Sequence, residues 1–516
     1  MSTPLVNDGS VSTVSADVAD PPKTAIEPVP WRMVLGIAGT LGVVLVALSA
    51  RYGFHGDELY FLVAGQHLDW GYPDQPPLVP LVMRVITELF GFSIVAVRVV
   101  AAALAVAGVV VAALTAREMG GGRTAQLLTA GAYAVTPFTV ADGHSLYTSS
   151  VDLFVTTALV WVVVRFVRTR DQRLLLAAGL IAAVALQVKY LVVVVLFAIV
   201  AGVVISGPRE VFRRPLFYAG AAVAVAAAVP GFLWQQRYGW PQLDMVRTIA
   251  AAEDYGGPIG FLINEILMTG IVLSVLLIWG VWGLLRAPEL RPFRFLAYAF
   301  LLLNVFFMAT GGKPYYLAGL WAAMWAAGAV RVERRQGRSR GRWVTSRPVF
   351  VVTAAVSAVF ALPIYPVDML ARSPQPVLNP DAAETVGWPE VAGQVTRVYE
   401  GLPAADKADA TILAADYSLA GALEVYGRPR GLPRVYSSHT GFWYFGSPVV
   451  DDGVTVAVGF AKADVDRIWA ECSRSAVLDN GVGVLNRAQG KEVWTCRGQR
   501  FPWTVLWPHL RSPADA

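Results

Sequence analysis

Apolar runs close to the length that crosses the hydrocarbon core of a bilayer dominate this chain, and they constrain its fold more than any other feature. They lie at about 31–50, 94–116, 124–141, 151–167, 174–188, 190–206, 216–234, 261–285, 295–310, 315–330 and 349–365. A spanning helix needs about 20 predominantly apolar residues, so the pattern predicts about eleven transmembrane helices, with the fifth, sixth and tenth short. Composition agrees: 55% of residues are hydrophobic and 15% charged, and the mean hydropathy of +0.52 lies outside the range of soluble domains. The net charge of +5 comes largely from arginines clustered between apolar runs, a pattern that orients helices in a bilayer rather than one that binds nucleic acid.

Alternate loops hold those arginines: Arg117 and Arg123; Arg165 to Arg173; Arg209 to Arg214; Arg286 to Arg294; and Arg331 to Arg347. Cytoplasmic loops are enriched in Lys and Arg, so these five are expected to face the cytoplasm. The intervening loops, and everything after Pro366, then face outward. The chain reads as a multi-pass plasma-membrane protein with a cytoplasmic N-terminus and an extracytoplasmic C-terminal domain. Residues 1–30, with no basic start and no cleavage-site pattern, read as a disordered cytoplasmic tail. Residues 31–365 form the membrane domain and 366–516 the exported one.

In that last stretch prolines, acids and aromatics replace the apolar blocks. Residues 410–415 and 454–459 have the character of short buried strands, and 390–399 and 462–471 have helical spacing, which predicts a small α/β layer. The only two cysteines, Cys472 and Cys496, lie here. An even pair in an exported domain favours a disulfide, and two thiols alone cannot complete a zinc shell.

The first outward loop, 51–93, is too polar, too aromatic and too long for a mere connector, and holds His55, Asp57, Glu58, His67, Asp69 and Asp74. Such loops carry function. Residues 57–69 are expected to form a short amphipathic helix at the membrane surface, turning Leu59, Phe61, Leu62 and Leu68 toward lipid or protein. Asp57 is then either an N-terminal acid complementing the helix dipole or a catalytic base, and Asp74, in PDQPP, either a turn residue or a substrate contact.

Lys189, in LQVKYL, and Lys313, in GGKPYYL, fall at outward helix ends, where lysines are depleted. Each either snorkels to the interface or serves a site. Together with the adjacent Tyr315 and Tyr316, at the level of a carboxylate-rich loop, they would make an anion site suited to phosphate beside a candidate base. His144 and Asp152, the first and last residues of the outward segment HSLYTSSVD, are candidates for substrate contact. Glu265 lies at the same depth and is expected to pair with a basic neighbour.

HGDELYF and HLDWGYPDQPPLVPL in the first loop, AREMGGGRTAQLL, LQVKYLVV and GGKPYYL together resemble the bacterial branch of the protein O-mannosyltransferase and lipid A aminoarabinose transferase superfamily, polyprenyl-phosphate-sugar-dependent glycosyltransferases of GT-C fold (glycosyltransferase family 39-like). The resemblance runs from about 31 to 330, and LAGALEVYGRPRGLPRVYSSHTGFWYFG in the tail is similar to that branch's exported domain. It implies an all-α polytopic fold and inverting transfer of one sugar, hexosyl or pentosyl, from a polyprenyl phosphate to an acceptor lipid, glycan or protein outside the membrane. The family's first-loop acid falls on Asp57, the implied general base, with Glu58 beside it. His55, Asp74, Gln75, His144 and Asp152 become implied substrate contacts. Lys189, Lys313, Tyr315 and Tyr316 become the implied phosphate site, the more so because Gln75 replaces a family lysine. A divalent metal ion serves some relatives, and no complete ligand shell can be read here. The alternative is a transporter or lipid flippase with an exported domain; such proteins commonly show repeated halves and midplane acids on broken helices, and neither pattern is visible in the sequence.

Overall fold

The computed structural model describes residues 26–251, 255–335 and 342–512. Most of the expected N-terminal tail lies outside the described residues. The chain is a multi-pass membrane protein: helices run through the first two thirds, and a small sheet layer follows.

In chain order the helices that frame the site are α1 (Trp31–Leu48), α2 (Gly56–Ala64), α3 (Ile94–Glu118), α4 (Thr148–Thr169) and α5 (Pro215–Arg237). Among the described residues α1, α3, α4 and α5 are long and apolar enough to cross a bilayer alone. Four further expected spans are shorter apolar helices, Arg173–Leu186, Val192–Ser206, Phe295–Thr310 and Arg347–Ala361, of 14 to 16 residues each.

Two apolar runs that read as single spans are broken. The run 124–141 divides into Arg123–Val135 and Pro137–His144, because proline lacks the amide that would continue the helix and restrains Thr136 to extended backbone. The run 261–285 turns through 105° between Gly257–Thr269 and Ile271–Arg286. Its pivot, Gly270, has φ +85, a conformation that glycine adopts without penalty.

The helix Ala318–Arg334 is the axis of the bundle, buried on every side from Ala318 to Val330. It lies against Ile271–Arg286 in backbone contact. A Cβ on Gly280 would meet the Met324 carbonyl, and one on Gly328 that of Leu276, the small-residue packing that lets membrane helices approach closely.

The arginine-rich loops gather at one end. Glu118, buried at the end of α3, draws Arg117, Arg165 and Arg168. Glu333 accepts hydrogen bonds from the Gly122 and Thr124 amides at 2.6 and 2.9 Å, and Arg170 pairs with Glu210. The first loop, Lys189, Lys313 and the C-terminal domain gather at the other end.

There β1 (Thr411–Ala414), β2 (Val435–Ser437), β3 (Thr455–Val458), β4 (Trp469–Val477) and β5 (Glu492–Gln499) form a sheet in the order β2-β1-β3-β5-β4. The first three pair in parallel and the rest antiparallel. β1 and β3 are fully buried, as expected of parallel strands covered on both faces. The expected helix at 390–399 spans Trp388–Glu400. The one at 462–471 ends at Ile468, because Trp469 begins β4. Cys472 and Cys496 face each other across β4 and β5 and are joined by a disulfide.

Candidate active site

The first loop folds into two helices. In α2, the His55 Nδ1 accepts the Asp57 amide at 3.0 Å while a Glu58 oxygen accepts the His55 amide at 2.9 Å, a reciprocal cap that fixes where the helix begins. The helix is shorter than 57–69 and does not lie on the membrane. Leu59, Phe61 and Leu62 are buried in protein, and only Leu68, beyond its end, is exposed. The amphipathic surface element is instead Leu78–Phe90, which buries Met83 and Ile86 and exposes Leu81, Val85, Leu89 and Phe90.

Above α2 sits the short C-terminal-domain helix α6 (Tyr417–Ala422). A Cβ on Gly56 would fall 2.4 Å from the Ser418 hydroxyl, and one on Gly421 would fall 3.0 Å from Leu59. The two helices therefore touch backbone to backbone.

Asp57 and Glu58 are adjacent but placed differently. Glu58 is 0% exposed and pairs at 3.2 Å with Arg98, which is 1% exposed; its other oxygen accepts the Leu146 amide at 3.1 Å. Arg98 also donates to the Ser49 and Gly53 carbonyls at 2.7 and 2.6 Å and contacts His144 Nε2 at 3.2 Å. Glu58 and His144 are thus enclosed in an internal polar network rather than presented to a cavity. Asp57 is only half-buried, and its Oδ1 accepts a 2.7 Å hydrogen bond from the Tyr417 hydroxyl of α6.

Asp74 faces Asp57 closely enough to feel its charge. Burial pushes the Asp74 carboxyl up to about 7, against the hydrogen bond from Tyr60 that pulls it down. Tyr60 donates that bond at 2.7 Å. Burial, and then the Asp74 charge, hold its hydroxyl well above its ordinary range, so it acts as a fixed donor. Gln75 is buried beside Tyr60, and neither atom of its amide makes a well-formed hydrogen bond among the described residues.

The second half of the site surrounds Lys189, between Arg173–Leu186 and Val192–Ser206. Its ammonium lies over the rings of Tyr315 and Tyr316, 5.2 and 4.4 Å from their centroids, a favourable cation–π geometry. Asp152, Lys313 and Asp142 are the charged groups within its electrostatic reach. Tyr315 is stacked on Phe138 at 5.2 Å, just after the Pro137 break, and Asp152 accepts from Thr156 at 3.1 Å. Glu265 does not join the set: its neighbour is the Trp321 indole, not a basic residue.

Asp381, exposed on the C-terminal domain, connects the halves. Its carboxylate lies 4.0 Å from His55 Nε2, and its charge reaches Tyr147, Asp142 and Tyr315. The candidates from the first loop and from the two lysine motifs therefore converge at one end of the molecule. Sequence reasoning missed Arg98, Asp142, Asp381 and Tyr417. Arg98 carried a signal, an ionisable residue within an apolar run; Asp381 and Tyr417 carried none.

Over 94% of this chain and 99% of the other, the structure superposes with TM-score 0.58 and 16% identity on ArnT from Cupriavidus metallidurans bound to undecaprenyl phosphate. The fold is that of the GT-C glycosyltransferases. The apo state of the same ArnT matches this GT-C fold equally well, with TM-score 0.58 and 16% identity over 90% of this chain and 97% of the other. Residues 74–234 match the family model described as dolichyl-phosphate-mannose-protein mannosyltransferase. A curated relative, lipid A galacturonosyltransferase RgtD of Rhizobium johnstonii, is 24% identical over 301 residues, which make up 55% of this chain. The match spans 62% of that relative's length.

Proposed function

We propose that this protein is an inverting glycosyltransferase that moves a sugar from a polyprenyl-phosphate donor to an acceptor on the outer side of the plasma membrane. The observation that carries the reading is the cluster of Lys189 over the rings of Tyr315 and Tyr316, with Lys313 in reach, at the same end of a GT-C fold as the half-exposed Asp57. The ArnT with this fold binds undecaprenyl phosphate, and the relative with which the chain aligns acts on lipid A. Both favour sugar transfer over a transporter or flippase.

In the proposed reaction, an acceptor hydroxyl attacks the anomeric carbon on the face opposite the phosphate. The new glycosidic bond forms as the bond to the phosphate oxygen breaks, the configuration inverts, and the hydroxyl proton passes to Asp57. Lys189 and Lys313 stabilise the charge that grows on the departing polyprenyl phosphate, and the two tyrosines hold Lys189 in place. Glu58 is a positioning group, anchoring the start of α2 through Arg98. Asp74, Gln75, His55 and Asp152 are the contacts proposed for sugar and acceptor, and His144 supports Arg98.

The same reading places the arginine-rich end and the N-terminus in the cytoplasm, and residues 366–516 outside. Among the described residues no group of three or more His, Cys, Asp or Glu is arranged to hold a metal ion. A divalent ion would have to draw on fewer side chains and on the donor phosphate, and no step is assigned to it.

The test is to incubate the purified protein with a panel of undecaprenyl- and decaprenyl-phosphate sugars and record native mass spectra. Retention of one lipid, lost in a Lys189→Gln, Lys313→Gln double variant, is expected. Equal retention by the double variant would contradict the assigned phosphate site.

A further inference from the structure

We propose that Tyr417, carried by the C-terminal domain, is a positioning residue for Asp57: its hydroxyl donates to Oδ1, orienting the carboxylate and leaving Oδ2 to take the acceptor's proton. This rests on the reading of Asp57 as the base. It makes the C-terminal domain part of the catalytic centre rather than an appendage.

Tyr417 is held from several directions. Asp416 Oδ1 accepts the Ser418 and Leu419 amides at 2.8 and 2.9 Å, capping α6. The Tyr417 amide donates to His439 Nδ1 at 3.2 Å. Its ring lies 5.5 Å from that of Tyr60, and the Arg487 guanidinium stands 5.3 Å from the ring centroid. The glycine contacts at Gly56 and Gly421 lock α6 onto α2, so the 2.7 Å bond to Asp57 joins two rigid elements.

The electrostatics explain why such a donor is useful. Asp74 faces Asp57, and the carboxylate of Glu58 is carried by the next residue. Like charges favour protonation of a carboxylate, and a hydrogen bond donated to the charged form opposes it. Arg98 is committed to Glu58. A neutral phenol can supply that donor beside the site of attack without forming an ion pair that would weaken the base.

The full-length protein in lipid nanodiscs is treated with dicyclohexylcarbodiimide, which reacts with protonated carboxyls, across a pH series, and occupancy at Asp57 is read by peptide mass spectrometry. Tyr417→Phe, which keeps the ring, is expected to raise the midpoint of protection by about one pH unit, the scale of one hydrogen bond to a charged group. A fluorinated tyrosine at position 417, equal in shape and a stronger donor, should lower it. A merely structural contact would not move the two in opposite directions, and an unchanged midpoint in both overturns the proposal. Retention of sugar transfer by Asp57→Asn would instead remove Asp57 as base while leaving the midpoint shifts in place, so the two failures are distinguishable.

Discussion

The carboxylate half of the site and the lysine half are built by different physics. Around Asp57 a fully buried ion pair, a reciprocal helix cap and a docked domain fix each atom through hydrogen bonds. Around Lys189 the cation rests on aromatic faces, with acids and a second lysine in reach. The first arrangement holds one carboxylate in a single geometry. The second sets a cation against ring faces, where the proposed mechanism puts the departing phosphate.

The comparison breaks most readily at Arg98. Arg98→Met leaves the Glu58 carboxylate buried without its partner, a change that costs about 3–5 kcal/mol and should abolish a cooperative thermal transition in detergent. Adding Glu58→Gln removes the orphaned charge and should restore much of the transition. If the single variant melts like the parent, the pair does not hold the carboxylate half together.

On the lysine half, the fold should survive and the chemistry should not. Lys189→Gln or Lys313→Gln should lower the transfer rate about 10²–10³-fold, as does removing one preorganised donor to a developing charge, with the melting temperature nearly unchanged. A rate loss matched by an equal loss of stability would show instead that Lys189 serves packing.

A smaller effect separates Asp74 from Asp57. The Asp74 carboxyl is held up to about 7 by burial, against an ordinary value of 3.8. Between those values the folded protein binds a proton that the unfolded chain does not, so this group's contribution to stability falls as pH rises through the window and is lost above about 7. Asp74→Asn should therefore raise the melting temperature at pH 8 relative to the parent by more than it does at pH 5, with scans at both values as the check. Equal changes would show that Asp74 is ionised throughout.

What could be read from the residues follows the same division. Asp57, Lys189 and Lys313 stand out locally, as charges where a membrane protein otherwise avoids them, the tyrosine pair stands out through its adjacent lysine, and the structure brings them to one end. Tyr417 lies 360 residues from Asp57, and no spacing or composition connects them. The broken spans were illegible for another reason: hydropathy registers how apolar a run is and not its direction, so the breaks at Pro137 and Gly270 disappear inside continuous windows. β1 and β3 were legible because a short, fully buried strand is a compact apolar block bounded by polar residues.

The most direct test of the central claim is single-turnover transfer from the undecaprenyl-phosphate sugar that the protein retains, comparing the parent with Asp57→Asn and determining the anomeric configuration of the product. An inverted product is expected, with a rate about 10²–10⁴-fold lower in the variant and donor binding intact. A retained configuration, or an undiminished rate in Asp57→Asn, would contradict it.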